Sequence, residues 1–374
     1  MIKLKTTNRI LMGPGPSDVH PKVLQAMATP LIGHLDPEFV VLMDEVKQMV
    51  QQTFMTQNEL SFVVSAPGTA GMETCLVNLL EPGDEAIICV NGVFGERMVA
   101  ITERCGAIVH TIESPWGSII TEEQVATILK VCKKPKVLAI VHAETSTGVL
   151  QPLERISELV HDAGALLVVD AVTSYCGMPL KVDEWKIDAV YTGTQKCLSA
   201  PPGLSPISLS KAAVKVIEAR KTPVQSWFMD LNLVKNYWSG SKRAYHHTAP
   251  VSSIFALHQA LCIVLEEGLE NRYLRHQKVH AYLVEKLEAL GFKFLVDHKY
   301  RLPNLNAVYL PKGNDEALLR TKLLKNYNIE VGGGLGNFAG KIWRIGIMGE
   351  SCTIQHVDKL INALKDIKEF RHDG

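Results

Sequence analysis

The stretch Tyr191-Thr192-Gly193-Thr194-Gln195-Lys196-Cys197-Leu198-Ser199-Ala200 places a lone lysine among small residues, just past an apolar strand. A second apolar strand lies upstream and ends in an acid: Ala165-Leu166-Leu167-Val168-Val169-Asp170. Ligands of open α/β sheets bind at the carboxyl ends of the strands. Taken singly, Lys196 is typical of a surface lysine and Asp170 of a helix cap, so the interpretation depends on the rest of the chain.

Short runs rich in valine and isoleucine recur upstream and downstream of these two, with helical patterns between them. Seven runs are predicted strands of a mostly parallel sheet: 60–65, 85–91, 107–112, 137–142, 165–170, 188–193 and 206–210. Between Pro152 and Gly164, apolar residues recur at helical spacing and a glycine ends the segment. Crossover helices of this kind cover both faces of a sheet, which predicts an α/β/α sandwich.

The pattern changes after Val251. A long helical stretch runs to about Leu290, and a separate α+β pattern follows, with strands predicted at 292–296, 306–310, 329–331 and 343–347 and a closing helix at 353–370. The predicted organisation is an N-terminal arm over residues 1–18, a large domain over 19–265 and a small C-terminal domain over 266–374.

The composition favours a small-molecule ligand. The chain has 374 residues, 47% of them hydrophobic, and 39 basic side chains balance 39 acidic ones, so no surplus of charge indicates nucleic acid. No apolar run approaches the length needed to cross a bilayer, and no membrane partner is expected. The eight cysteines stand singly without a secretion signal, which predicts reduced thiols and a cytoplasmic location.

An amine and a carboxylate at two strand ends are what pyridoxal phosphate requires. Lys196 would hold the aldehyde carbon of the cofactor as a Schiff base and then carry the substrate proton. Asp170 would keep the ring nitrogen protonated, so that the ring accepts electrons. The sequence therefore predicts two catalytic residues with two separate tasks.

Three turns supply further candidates. Gly68 and Thr69, after Pro67, lie in a glycine-containing turn between strand and helix, where a phosphate binds to free N–H groups. Phe94 stands between two glycines and could lie flat on a heterocycle. Thr145, in a polar loop after the fourth strand, could donate to the ring hydroxyl. Each also has a plain structural explanation: the turn at Gly68 could simply cap a helix, Phe94 could be a turn aromatic that covers the core, and Thr145 could be an N-cap.

The order of these motifs resembles the class V, fold type I pyridoxal phosphate enzymes, in particular the alanine–glyoxylate and serine–pyruvate aminotransferase group. The resemblance covers nearly the whole chain and includes the segments 12–17, 245–250, 332–336 and 343–346. It implies a seven-stranded, mostly parallel sheet in an α/β/α sandwich, with a smaller C-terminal α+β domain. The chain departs from close relatives at three positions. Tryptophan is frequent in place of Phe94, serine or glycine in place of Pro67, and some relatives carry histidine in place of Thr69.

The resemblance also implies roles for individual residues. The predicted cofactor ligands are Pro67, Gly68, Thr69, Phe94, Thr145, Asp170, Val172, Gln195, Lys196, Tyr245 and Thr248. Among them, Gly68, Thr69 and Gln195 would hold the phosphate, and Phe94 and Val172 would enclose the ring. Tyr245 and Thr248 would reach the phosphate in a partner subunit, which implies a homodimer with shared active sites. Arg344 and Gly15 would bind the substrate, with Arg344 clamping its carboxylate; no metal is expected.

The predicted function is a transaminase that moves an amino group from L-alanine or L-serine to glyoxylate or pyruvate by a ping-pong mechanism. Transamination of 2-aminoethylphosphonate, ureidoglycine or hydroxykynurenine stays open as an alternative. A cysteine desulfurase is less favoured, since no cysteine occurs between Cys262 and Cys352. A nicotinamide dehydrogenase is disfavoured because no GxGxxG motif opens a helix after a strand.

Overall fold

The computed structural model describes residues 6–240 and 243–371. Its strands, in chain order, are β1 Ile10–Leu11, β2 Leu60–Val64, β3 Glu85–Val90, β4 Ile108–Glu113, β5 Pro135–Val141, β6 Ala143–Glu144, β7 Val149–Leu150, β8 Leu166–Asp170, β9 Ala189–Tyr191, β10 Ser205–Leu209, β11 Lys293–Phe294, β12 Leu305–Tyr309, β13 Ile329–Glu330, β14 Gly332–Gly333 and β15 Ile342–Gly346.

The helices alternate with the strands from β2 to β5. They are α1 Pro21–Met27, α2 Pro37–Phe54, α3 Gly68–Leu79, α4 Val93–Arg104, α5 Glu122–Val131, α6 Glu154–Asp162, α7 Lys211–Glu218, α8 Leu231–Trp238, α9 Val251–Glu267, α10 Leu269–Ala289, α11 Glu316–Tyr327 and α12 Ile354–Asp366. Three short 3₁₀ helices cover His298–Tyr300, Gly336–Phe338 and Gly349–Ser351.

The large sheet has seven strands in the order β2-β10-β9-β8-β5-β3-β4. Its four neighbouring pairs from β9 to β4 are parallel, and only β10 runs antiparallel to its neighbours. Strand β8 is buried along nearly its whole length, as its continuous apolar sequence predicts for a central parallel strand. All seven predicted runs form these strands, and the predicted α/β fold class is confirmed.

The smaller sheet is antiparallel, with the order β11-β12-β15-β14. The segment predicted as one of its strands, residues 329–331, instead forms β13, which pairs in parallel with β1 near the N-terminus. Met12 belongs to the core beneath the smaller sheet. The N-terminal segment is therefore attached to the small sheet, although the predicted arm and domain boundaries stay predictions.

The predicted long helical stretch is interrupted. Gly268, with a φ of +81°, separates α9 from α10, and the two helices are bent by 82°. A positive φ is readily adopted by glycine, which explains where the break occurs. Within the described residues, no single helix is long and apolar enough to span a membrane; only the bent pair passes such a test together.

Candidate active site

Five strands bring the predicted residues to one edge of the large sheet. The strands β2, β3, β5, β8 and β9 all point in one direction. Strand β10 lies between β2 and β9 and is antiparallel to both, so β2 and β9 run the same way. Their carboxyl ends lead into the turns that carry Gly68, Phe94, Thr145, Asp170 and Lys196. Crevices at the carboxyl edge of an α/β sheet are the usual place for a ligand.

Lys196 is buried, with 8% of its surface exposed, and its Nζ donates to the Pro14 carbonyl. Burial disfavours the charged form, and the Arg344 cation acts in the same direction, so the pKa of Lys196 falls from its usual 10.5 to about 8. The backbone around Lys196 is fixed, since Ser17 Oγ donates to its carbonyl at 2.7 Å. A buried lysine with a lowered pKa is a good nucleophile toward a carbonyl.

Asp170 ends β8 and is 3% exposed. Its Oδ1 accepts a hydrogen bond from Val172 N at 2.8 Å and its Oδ2 from Tyr191 Oη at 3.0 Å. Burial raises the pKa of Asp170 to about 6, although both hydrogen bonds favour the carboxylate. A cation placed against this carboxylate, such as a protonated ring nitrogen, would compensate its burial.

The turn before α3 is shaped by small residues. Pro67 is the N-cap of α3 and makes no side-chain capping bond, so the first N–H groups, those of Gly68 and Thr69, have no intrahelical acceptor. A Cβ added to Gly68 would lie 3.2 Å from Val172 Cγ2 and 3.4 Å from Gly193 Cα. The turn thus packs directly against the residues that flank Asp170 and Lys196, with its helix dipole available to an anion.

Gln195 belongs to the same group of residues. A Cβ on Gly193 would lie 2.6 Å from Gln195 Oε1, so the two are in contact. Within the described residues, Gln195 Oε1 is buried and has no hydrogen-bond partner. A buried amide oxygen without a partner is costly, and an amide can turn to present its NH₂ to a phosphate oxygen.

Phe94 lies in the first turn of α4 and is half-buried. The Arg97 guanidinium lies over its ring, 4.9 Å from the centroid, and Arg97 Nη1 donates to Thr69 Oγ1 at 3.1 Å. Arg97 therefore connects the aromatic ring to the turn before α3. Sequence reasoning did not find Arg97, which occurs one helical turn after Phe94.

Thr145 and Arg344 connect the two sheets. Thr145 Oγ1 hydrogen-bonds Thr173 Oγ1 at 2.5 Å, and the Thr145 carbonyl accepts from Arg344 Nη1 at 3.4 Å. Arg344 lies in β15 of the smaller sheet, where its Nε also donates to the Gly333 carbonyl at 2.8 Å. Burial lowers the pKa of Arg344 to about 10, so the guanidinium stays charged near neutral pH.

Gly15 lies directly on Lys196. A Cβ at Gly15 would approach Lys196 Nζ to 2.7 Å, and the φ of Gly15 is +106°. The N-terminal segment, which is bound to the C-terminal part of the chain through the β1–β13 pair, thus covers the lysine. Tyr245 and Thr248 are both exposed in the single chain, and the Tyr245 ring packs against His34 with 5.4 Å between centroids.

Comparisons with known proteins agree with this geometry. The family model described as aminotransferase class-V matches residues 11–342. The chain belongs to the class-V aminotransferase family. Alanine–glyoxylate aminotransferase of Oryctolagus cuniculus is 43% identical over 366 residues, which cover 97% of this chain and 93% of the relative.

Two solved structures are similar to this aminotransferase over nearly their whole length. Alanine–glyoxylate aminotransferase from Nostoc sp. has a TM-score of 0.95 at 46% identity, covering 97% of this chain and 96% of the other. Ureidoglycine–glyoxylate aminotransferase from Bacillus subtilis has a TM-score of 0.94 at 40% identity, covering 97% and 93%. The predicted family and the fold type I architecture are confirmed, and the enzyme is a pyridoxal-phosphate-dependent transaminase.

The residues of this aminotransferase fit the cofactor. The Lys196 amine can bind its aldehyde, the Asp170 carboxylate can pair with its ring nitrogen, and the uncapped turn at Gly68 can receive its phosphate. The unpartnered Gln195 amide lies against the same turn region. The roles of the individual residues stay predictions, as do those of Tyr245 and Thr248 across a subunit boundary.

Proposed function

We propose that this aminotransferase transfers the amino group of L-alanine or L-serine to glyoxylate or pyruvate, with donor and acceptor using the same site in turn. Support comes from the relatives named alanine–glyoxylate aminotransferase at 43% and 46% identity. These substrates are small, and each carries one carboxylate and one amine or carbonyl group. A site for them needs one fixed cation and one movable proton carrier.

The observation that carries this proposal is the Arg344 guanidinium. Arg344 is 8% exposed, and its two hydrogen bonds go to backbone carbonyls. Within the described part of the chain, Arg344 forms no ion pair with an acidic side chain, since its Nε and Nη1 contact only neutral acceptors. A buried guanidinium without a carboxylate partner, beside the amine of Lys196, is matched to a substrate carboxylate.

The residues divide the work as follows. When bound, pyridoxal phosphate supplies a ring that withdraws electrons from the substrate Cα. Asp170 would hold the proton on the ring nitrogen by its charge, and Tyr191 keeps that carboxylate in place by donating its hydroxyl hydrogen to it. The Lys196 amine would take the proton from the substrate Cα and return it on the cofactor side, a role that its pKa of about 8 permits. Arg344 orients the substrate for this transfer.

A spectroscopic titration tests the proposal. The visible band of the purified protein is recorded with L-alanine or L-serine in the absence of an acceptor, and again after glyoxylate or pyruvate is added. We expect the band to be lost with the donor and to return with the acceptor. A band that none of these amino acids changes would refute the substrates, and no band after addition of pyridoxal phosphate would refute the roles of Lys196 and Asp170.

A second candidate donor is (S)-ureidoglycine. The (S)-ureidoglycine–glyoxylate transaminase of Bacillus subtilis is 39% identical over 390 residues, covering 100% of this chain and 93% of the relative. Both donors carry a carboxylate for Arg344, so the guanidinium does not separate them. The same titration with (S)-ureidoglycine, compared with L-alanine by kcat/KM, ranks the two.

We also propose that two copies form a homodimer with shared active sites. Exposed aromatic side chains near Tyr245 support this association, because neighbouring apolar residues on a surface favour a protein contact; Tyr245 is 66% and Trp227 63% exposed, and the Trp227 ring stacks on His246, the residue after Tyr245. Sedimentation of the wild-type protein measures the assembly. If Tyr245 reaches the partner's phosphate, Tyr245→Phe weakens cofactor binding, whereas a monomer that binds the cofactor fully would contradict the proposal.

A cytoplasmic location is likewise proposed. Its support is that all eight cysteines are free thiols and seven of them are buried, as suits a reducing compartment. Fractionation of cells that express the full-length protein tests the location, and recovery of the protein from a membrane or secreted fraction would contradict it.

A further inference from the structure

The loop after β5 caps helix α4 from a distance. The N-cap of α4 is Gly92, which has no side chain to accept from the first turn. The missing acceptors come from residues 53 and 50 positions further along the chain: Ser146 Oγ accepts from Val93 N at 3.2 Å, and Glu144 Oε2 accepts from Phe94 N at 3.3 Å. The start of α4 is therefore fixed by a loop that follows another strand.

The Glu144 carboxyl group is enclosed. It is 0% exposed, and its Oε1 accepts from Ser146 N at 3.0 Å and from Ser146 Oγ at 2.6 Å. A Cβ on Gly92 would lie 2.4 Å from Glu144 Cδ, so the missing side chain of Gly92 is what lets the carboxyl group lie against the turn. Burial raises the pKa of Glu144 to about 7, although its neutral donors favour ionisation.

We propose that Glu144 is a positioning residue that fixes the first turn of α4 and thereby holds the ring of Phe94 against the bound cofactor. This inference rests on the proposed function, because it uses the predicted role of Phe94. The same loop continues into Thr145, whose carbonyl accepts from Arg344 and whose hydroxyl bonds Thr173. One loop thus contacts the backbone of Phe94 on one side and the Arg344 guanidinium on the other.

Glu144→Gln is the direct test. An amide has one acceptor oxygen, so its NH₂ group must face either Phe94 N–H or the Ser146 donors, and one hydrogen bond becomes a donor–donor contact. We expect the dissociation constant of pyridoxal phosphate to rise by roughly tenfold. The visible circular dichroism of the bound cofactor, which reports its asymmetric surroundings, falls as well.

A matched control is Asp188→Asn. Asp188 is another buried acid, 5% exposed, that accepts from a backbone N–H, that of Leu167, at 2.9 Å. Leu167 lies near the start of β8, at the sheet edge opposite to Asp170. The control therefore loses thermal stability without a change in the visible circular dichroism, which separates a positioning role from general weakening of the fold.

A double-mutant cycle with Phe94→Leu completes the test. If Glu144 acts through the Phe94 ring, Glu144→Gln has little further effect on cofactor binding once the ring is absent. Fold changes that multiply in the double variant, or a Glu144→Gln protein identical to wild type, would overturn the proposal. If Glu144→Gln does not fold, Ser146→Ala replaces it in the same cycle, and its dissociation constant for pyridoxal phosphate is expected to rise roughly threefold. Wild-type protein that fails to bind pyridoxal phosphate would instead overturn the proposed function.

Discussion

The pH at which Lys196 becomes reactive is a quantitative consequence of its burial. With a pKa of about 8, about one Lys196 amine in ten is neutral at about pH 7. An ordinary lysine, three to four pH units below its pKa, would have only about one in three thousand. Because only the neutral amine attacks an aldehyde, burial and the Arg344 charge together increase the reactive fraction roughly 300-fold, which corresponds to about 3 kcal/mol.

Stopped-flow mixing of cofactor-free protein with pyridoxal phosphate measures this directly. The rate of appearance of the visible band is expected to rise about tenfold per pH unit and to level off near pH 8. Arg344→Gln removes a cation that lowers the pKa of Lys196, so the plateau moves to higher pH and the neutral-pH rate falls.

The control for the charge change is Arg320→Gln. Arg320 lies on α11 and pairs with Glu316 at 3.2 Å, with 38% of its side chain exposed. Its removal is expected to leave the profile unchanged, because its charge is already balanced by Glu316 and partly screened by solvent. A rate that keeps rising beyond about pH 10, as for an ordinary lysine, or a shift of the Arg344→Gln plateau to lower pH, would refute the reasoning.

Three further substitutions test the site. Gly15→Ala places a Cβ 2.7 Å from Lys196 Nζ and is expected to abolish most activity. The control Gly203→Ala has a φ of +126° but open space around it, so it is expected only to destabilise the fold by about 1 kcal/mol, measured as a lower thermal unfolding temperature. Equal activity of the two variants would contradict the contact. Asp170→Asn keeps the visible band but lowers kcat by about a hundredfold, since the charge at the ring nitrogen is lost; an unchanged kcat argues against that role. Tyr191→Phe removes one donor to Asp170 and is expected to weaken cofactor binding by about 1 kcal/mol, an effect that must vanish in the Asp170→Asn background.

The large sheet could be predicted from the sequence because all of its strands except the edge strand β4 are largely buried. Runs such as residues 166–169 are continuously apolar, a pattern that a short surface loop cannot maintain. The separate two-stranded pair of β1 and β13 was harder to predict. Ile10–Leu11 and Ile329–Glu330 are two residues long, too short to show alternation, and their pairing depends on contacts more than 300 residues apart in sequence. The break at Gly268 was missed because a lone glycine is also tolerated within a helix.

The candidate site was predicted only in part, for a similar reason. Lys196 and Asp170 stand out because a charge directly after an apolar strand is visible in the sequence. Tyr191 is not visible in this way, since its role follows from the register that pairs it with Asp170 on the neighbouring strand. Glu144 occurs in a polar loop that was recognised, but its contact with Phe94 depends on how two strands lie side by side. To predict residues that act through a neighbouring strand, one must know the order of strands in the sheet, and no local sequence pattern gives that order.

The charges of the site explain why two anions can bind there together. Near neutral pH, Arg344 is charged and Lys196 mostly so, while Asp170, with a pKa of about 6, is mostly ionised and Glu144, with a pKa of about 7, only partly. The α3 dipole adds positive potential at the turn. The protein alone therefore has a surplus of positive charge, into which a phosphate fits at α3 and a substrate carboxylate at Arg344. Asp170 is then left to balance the protonated ring nitrogen, and that positive nitrogen is what lets the ring withdraw electrons from the substrate. Neutralising Asp170 should therefore lower kcat more than it weakens cofactor binding.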